Sequence, residues 1–147
     1  MDKYVELKNL LGDRITFDKY EKEFYSRDLA PIPSIFTLMY RPMPDTVVRP
    51  VNTTEVSEIM KFANKHKIPV TPRGAATSAL AGAVPTKGGI VMDLSSLNKN
   101  IELDEKESIV RVDAGVVWNE LEKYLNNKGF HSCRIRVVHH HQQLVAG

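Results

Sequence analysis

Cysteine is almost absent from this chain, with one residue, Cys133, in 147. That excludes an internal disulfide framework and makes the cytoplasm the default address. Long apolar runs are absent as well. The stretch at residues 79–84 is far shorter than the roughly 20 residues that cross a bilayer, so no integral membrane segment is expected. The opening Met1-Asp2-Lys3-Tyr4 begins a mixed polar segment without the apolar core of a secretory signal. An excess of one charge is lacking too: 20 basic and 18 acidic residues are interleaved and leave a formal +2. Without a concentrated basic field, nucleic acid is not expected as a ligand. There is no internal repeat, and no acid, base or nucleophile constellation stands out. What is present, 42% hydrophobic and 26% charged residues, is the composition of a globular protein with one ordinary core.

Val5, Leu7, Leu10 and Leu11, followed by Gly12, predict a short amphipathic helix with a glycine stop. Between Ala30 and Pro50 lie Pro31, Pro33, Pro42, Pro44 and Pro50. They remove backbone donors and hold the chain extended, so residues 1–44 read as a helical arm and proline-rich linker. From Asp45 the two periods alternate. Val47-Val48-Arg49 reads as a strand, and Asn52 with Glu55 as a capping box. Val56, Ile59, Met60 and Ala63, with Phe62 beside them, line a helix that ends near Lys67. Ile68-Pro69-Val70-Thr71 is a second strand. After Gly88-Gly89, Ile90-Val91-Met92 has the continuous apolar character of a strand buried on both faces. Strand, helix, strand predicts a right-handed parallel crossover. A hairpin is expected between Ile101-Glu102-Leu103 and Ile109-Val110-Arg111-Val112. It is followed by a helix carrying Val117, Trp118, Leu121, Tyr124 and Leu125 that stops at Lys128-Gly129.

The loop between the strands at Val70 and Ile90 contains Arg73, Gly74, Ala75, Ala76, Thr77, Ser78, Ala79, Leu80, Ala81 and Gly82. Small side chains let the backbone come close to a ligand. Successive N–H groups can form a concave nest for an anion, and Thr77 and Ser78 add hydroxyl donors, so a diphosphate is a natural occupant. A tight connection built of small residues for packing has the same appearance, and spacing alone does not choose between the two.

Four ordered segments carry a resemblance. They are Pro50-Val51-Asn52-Thr53-Thr54-Glu55-Val56, Ile68-Pro69-Val70-Thr71-Pro72-Arg73-Gly74, Gly88-Gly89-Ile90-Val91-Met92-Asp93-Leu94 and Val112-Asp113-Ala114-Gly115-Val116. Together they resemble the FAD-linked oxidases of the glycolate oxidase FAD-linked subunit and D-lactate dehydrogenase type, within the vanillyl-alcohol oxidase and p-cresol methylhydroxylase (PCMH) superfamily. Weaker similarity extends to Gly12-Asp13-Arg14 and Tyr25-Ser26-Arg27-Asp28. The resemblance implies an α+β fold with an α/β-like core: the N-terminal part of a PCMH-type FAD-binding domain, a small parallel sheet with flanking helices plus a hairpin, over residues 45–130. It implies FAD as cofactor, with Arg73, Gly74, Ala75, Ala76, Thr77, Ser78 and Gly82 matching the family's positions at the diphosphate. The family usually has glycine where this chain has Ala76, and often another near Ala81. A methyl at either position narrows the approach to phosphate and disfavours positive φ. Pro85 and Asp93 read as structural.

In the complete enzymes that the chain resembles, the flavin accepts a hydride equivalent from a 2-hydroxy acid. The family's catalytic histidine lies beyond the matching segments, so no catalytic residue is assigned here, and His66 and His131 match no such position. The expectation is an N-terminal part of such an enzyme, inactive by itself. The alternative is a non-catalytic flavin-binding or assembly module completed by a partner subunit. Residues 131–147 depart from the family, which continues with a proline-rich stretch, then serine-serine and threonine-valine-glycine-glycine. Read two nucleotides later, codons for residues 131–147 can spell that continuation, which suggests an out-of-frame tail. His139-His140-His141 could alternatively suggest a metal site. Adjacent side chains diverge, however, and no partnering cluster has metal spacing, so neither a metal ion nor a nucleophilic role for Cys133 is assigned.

Overall fold

The computed structural model describes residues 2–30, 42–78, 80–132 and 144–146. The chain divides into two compact units, Met1–Ser96 and Leu97–Gly147.

The first unit is built on a four-stranded sheet in the order β1-β2-β4-β3. Its strands are β1 (Ile15–Thr16), β2 (Thr46–Val48), β3 (Val70–Arg73) and β4 (Ile90–Asp93). β1 runs antiparallel to β2, whereas β2 and β3 both run parallel to the central β4, with Val47 and Thr71 each opposite Val91. Pro72 lacks an N–H donor, and it sits on the edge strand β3, where that omission is tolerated. The helices are α1 (Val5–Leu11), α2 (Lys19–Phe24) and α3 (Thr53–His66).

Side chains alternate across β2 and β4, so each strand serves two cores. On one face Val48, Ile90 and Met92 pack with Tyr4, Leu7, Leu11, Ile59, Phe62 and Ala63. Val47 and Val91 point the other way and pack against Tyr25. Ile90-Val91-Met92 is thus buried on both faces, as its unbroken apolar run predicts. Each fully buried Val or Ile contributes roughly 1.5–3 kcal/mol relative to exposure.

α3 is bounded by local chemistry at each end. The Asn52 side chain accepts from the Glu55 N–H at 2.8 Å. Glu55 reaches back to the Val51 N–H at 2.9 Å, one residue beyond the usual partner in a capping box. The Glu55 carboxylate is also gripped by both terminal nitrogens of Arg14, with Nη2 to Oε1 at 2.8 Å. Those bonds hold its carboxyl below the ordinary range. At the other end Lys67 takes a left-handed φ of 54°. The Ile68 N–H then closes on the Ala63 carbonyl at 2.9 Å and the Lys67 N–H on that of Asn64 at 3.3 Å, a Schellman arrangement. Ile68 and Pro69 therefore belong to the helix stop, and β3 starts at Val70, two residues later than its apolar pattern suggests. The buried stripe of α3 is Ile59, Phe62 and Ala63. Met60, expected on that face, is 47% exposed, because α1 lies over the turn that carries Phe62.

Two buried polar side chains end the central strands. Arg73 and Asp93 are register partners at the carboxyl ends of β3 and β4. The turn into β4 needs glycine: Gly89 has φ 78°, and a Cβ there would lie 2.2 Å from the Pro69 carbonyl oxygen.

The second unit contains the predicted hairpin of β5 (Ile101–Asp104) and β6 (Ile109–Val112), with Leu103 opposite Val110. Helix α4 (Trp118–Asn126) buries Leu121 and Leu125 against Ile101, Leu103, Val110 and Phe130. Trp118 and Val117, assigned to that face by periodicity, are 48% and 56% exposed. β7 (Phe130–Ser132) pairs antiparallel with β8 (Leu144–Ala146). Cys133 and His139-His140-His141 lie outside the described residues. Among the described residues no helix is long and apolar enough to cross a membrane.

Candidate diphosphate-binding loop

The loop leaves the carboxyl end of β3 at Arg73 and reaches the buried Pro85 before β4. Ala76 and Ala81 hold φ of 53° and 59°, a region that costs an L-residue roughly 1–2 kcal/mol. These are the two positions at or near which the resemblance leads one to expect glycine. Ser78 organises the second half: its Oγ accepts from the Leu80 N–H at 3.2 Å and the Gly82 N–H at 3.3 Å. A Cβ on Gly82 would stand 3.1 Å from that Oγ, closer than ordinary van der Waals contact, so a side chain there would press on the bonded hydroxyl. Leu80 points outward, 91% exposed.

The first half of the loop behaves differently. Among the described residues, the N–H groups of Gly74, Ala75, Ala76, Thr77 and Ser78 have no protein acceptor. A cleft of about 450 Å³ opens beside them, lined on one side by Arg73, Ala75, Ala76 and Thr77. Its other side is the end of α2 and the turn after it, Glu23, Phe24, Arg27, Asp28 and Leu29. Within this wall Arg27 pairs with Glu23 at 3.3 Å, and Asp28 accepts the Ala30 N–H at 2.8 Å.

The Arg73 side chain does not face the cleft as a free cation. Its guanidinium donates to the Arg27 carbonyl at 2.6 Å and the Tyr25 carbonyl at 3.5 Å. It also lies over the Tyr25 and Phe24 rings, 4.9 and 5.6 Å from their centroids. Tyr25 in turn donates its hydroxyl to Asp93. Burial, then that hydrogen bond, pushes the Tyr25 phenol above its ordinary pKa. Burial opposes ionisation of Asp93, but hydrogen bonds from Ser95 and Tyr25 outweigh it and hold the carboxyl below the ordinary range.

A family profile described as an FAD binding domain matches residues 44–133. The chain belongs to that family. FAD is accordingly its cofactor. The FAD-binding chain is 34% identical over 105 residues to the glycolate oxidase subunit GlcD of Bacillus subtilis (strain 168), covering 71% of this chain and 21% of that protein. It is 33% identical over 124 residues to a mitochondrial D-lactate dehydrogenase (cytochrome) of Arabidopsis thaliana, covering 84% of this chain and 21% of that protein. The chain thus spans about a fifth of the length of these relatives. Among solved structures, an alkyldihydroxyacetonephosphate synthase superposes with a TM-score of 0.73 at 23% identity, over 89% of this chain and 28% of that one. p-Cresol methylhydroxylase with substrate bound gives 0.65 at 21% identity, over 86% of this chain and 24% of that one. Those two similarities show the fold, the PCMH-type FAD-binding domain.

The FAD-binding domain's loop suits the cofactor's diphosphate chemically. Adjacent amides without acceptors among the described residues, the Thr77 hydroxyl and an open cleft provide donors and room for an anion. Among the described residues no atom lies within 4 Å of where a Cβ on Gly74 would stand, so none of them requires glycine there. Two residues important to this region, Tyr25 and Asp28, are not assigned a site role from sequence. Their signal is the short Tyr25-Ser26-Arg27-Asp28 similarity ahead of the proline-rich segment.

Proposed function

We propose that Gly74, Ala75, Ala76, Thr77 and Ser78 receive the FAD diphosphate through their backbone N–H groups. In this reading Thr77 adds a hydroxyl, Gly82 and Ser78 shape the far turn, and Arg73 positions the loop rather than touching phosphate with its side chain. The observation that carries this is the run of amides at residues 74–78 with no acceptor among the described residues, beside an open cleft. In the whole protein the activity is that of a flavin-dependent 2-hydroxy-acid dehydrogenase or oxidase of the glycolate or D-lactate type, a reading supported by the similarity to a glycolate oxidase subunit and a D-lactate dehydrogenase. FAD, when bound, supplies the two-electron acceptor, and this chain's part is to bind and orient it. The 147-residue chain by itself is expected to turn over neither glycolate nor D-lactate. Residues 45–130 are the FAD-binding region, to which α1, β1 and α2 of the expected arm are packed within the first unit, and residues 131–147 are out-of-frame translation, which the coding DNA tests codon by codon.

Titration with FAD, ADP and FMN tests the loop assignment. FAD and ADP, which carry a diphosphate, should compete, and FMN should bind at least tenfold more weakly. Gly74→Ala should leave folding intact and weaken FAD and ADP by roughly tenfold, about 1.4 kcal/mol. Equal binding of all three ligands, or an unaffected Gly74→Ala variant, refutes the assignment.

A second reading, a flavin-binding module completed by a separate chain, is favoured by the exposure of Ile109, Val112, Val117 and Trp118, 42–56% in the second unit. Co-expression with the products of adjacent reading frames, followed by size-exclusion chromatography, tests it. A chain that elutes alone in every case refutes it.

A further inference from the structure

We propose that residues 25–28 form a clamp that sets the shape of the diphosphate loop by holding both of its ends. At the entry, the buried Arg73 is tied to the Arg27 and Tyr25 carbonyls, 2.6 and 3.5 Å away, and stacks on the Tyr25 ring. At the exit, the Ala83 N–H donates to Asp28 Oδ2 at 3.4 Å, while Asp28 Oδ1 accepts the Ala30 N–H at 2.8 Å. The clamp itself is anchored to the sheet, because the Tyr25 hydroxyl donates to Asp93, the register partner of Arg73. One short segment, 46 to 55 positions away along the chain, thereby fixes the distance between the two ends of the loop. The same segment contributes Arg27 and Asp28 to the opposite wall of the cleft.

The physical consequence is preorganisation. A loop of small residues samples many shapes, and apparent affinity falls by the fraction of the ensemble that is competent to bind. Residues 25–28 raise that fraction without touching the phosphates, which makes Asp28 and Arg73 positioning residues. Asp28 would otherwise be a puzzling neighbour for an anion, because a carboxylate in the cleft wall repels a diphosphate. Capture of the Ala83 amide accounts for its presence.

This inference rests on the diphosphate reading of the loop, and two measurements on the full chain separate the pair. The first is hydrogen exchange without ligand. In Asp28→Ala the Ala83 amide should exchange at least tenfold faster, while the capped Glu55 amide of α3 is unchanged. Unchanged exchange at Ala83 overturns the clamp whatever FAD does. The second is affinity for FAD and ADP, which should weaken roughly tenfold in Asp28→Ala with little change in the urea midpoint. Asp28→Asn, which keeps one acceptor oxygen, should fall between Asp28→Ala and the parent in both readouts. Tighter binding by both variants would mean that charge repulsion dominates, and it overturns the clamp. If the parent chain binds neither ligand yet Ala83 still responds to Asp28, the clamp stands and the diphosphate reading falls.

Discussion

Ala76 and Ala81 occupy left-handed backbone at φ 53° and 59°, so Ala76→Gly and Ala81→Gly should each stabilise the first unit. The left-handed conformation costs an L-residue roughly 1–2 kcal/mol. Glycine relieves that cost but returns roughly 0.4–1 kcal/mol through the larger conformational freedom of the unfolded chain. The net expectation is a gain of about 0.5–1 kcal/mol per site, close to additive in the double variant if the two turns act independently. The sole tryptophan, Trp118, lies in the second unit, so its fluorescence is the wrong probe. Hydrogen exchange at the Ile90, Val91 and Met92 amides of β4 reports on the first unit, and should slow roughly two- to fivefold per substitution. Ala75 provides the control, because its φ is not positive. Ala75→Gly brings only the entropic penalty and should speed exchange by a similar factor. If Ala76→Gly and Ala75→Gly change exchange in the same direction, the backbone-strain argument is wrong. FAD affinity should rise in Ala76→Gly, whose methyl lines the cleft.

Gly89→Ala would drive a methyl against the Pro69 carbonyl at a positive φ. It should cost more than about 3 kcal/mol, read as loss of soluble protein or a collapse of the unfolding midpoint. Asn52→Ala removes the cap of α3 and should cost about 1 kcal/mol, measured by urea denaturation. The folded-state pKa of Asp93 is depressed, so its contribution is present above the unfolded carboxylate value and is lost as pH falls through the folded one. Asp93→Asn should therefore flatten the acid limb of the stability–pH profile. Tyr25 is shifted upward, so its contribution is present below the ordinary phenol pKa and is lost as pH rises through the folded value. Tyr25→Phe should accordingly flatten the alkaline limb.

Much of the architecture was legible because local chemistry and tertiary demand agree. The Asn52–Glu55 cap, the unbroken Ile90-Val91-Met92 run and the apolar segments 101–103 and 109–112 each point to the element that forms. The failures occur where a partner distant in sequence decides. Periodicity cannot choose between Met60 and Phe62, because the choice belongs to α1, which brings Tyr4, Leu7 and Leu11 onto the Phe62 side. Val5 and Leu10, counted in the apolar pattern of α1, flank the Tyr4, Leu7 and Leu11 stripe and are only partly covered, at 50% and 39% exposure, for the same reason. Ile68-Pro69 has strand composition, yet the Ile68 amide is drawn to the Ala63 carbonyl by a Schellman stop that lacks the usual glycine. In the site, small residues announce a close backbone approach, but nothing local reveals that the Arg73 guanidinium turns away to the carbonyls of residues 25 and 27.

That turning away follows from where the loop begins. β2, β3 and β4 are parallel, so β3 and β4 end at the same edge of the sheet, the edge at which open α/β sheets place their ligands. A buried arginine and a buried aspartate at those two ends need partners of their own. Direct pairing would satisfy the charges but leave nothing to hold the loop. Here the Tyr25 hydroxyl meets Asp93, and the Tyr25 and Arg27 carbonyls meet Arg73. The polar cost of ending two strands in the interior is thus met by the segment that lines the cleft. Any change that frees Arg73 toward the cleft would add a cation near the diphosphate but release the entry of the loop. For this geometry the second effect opposes the first, which is why an arginine next to a phosphate-binding loop need not be a phosphate ligand.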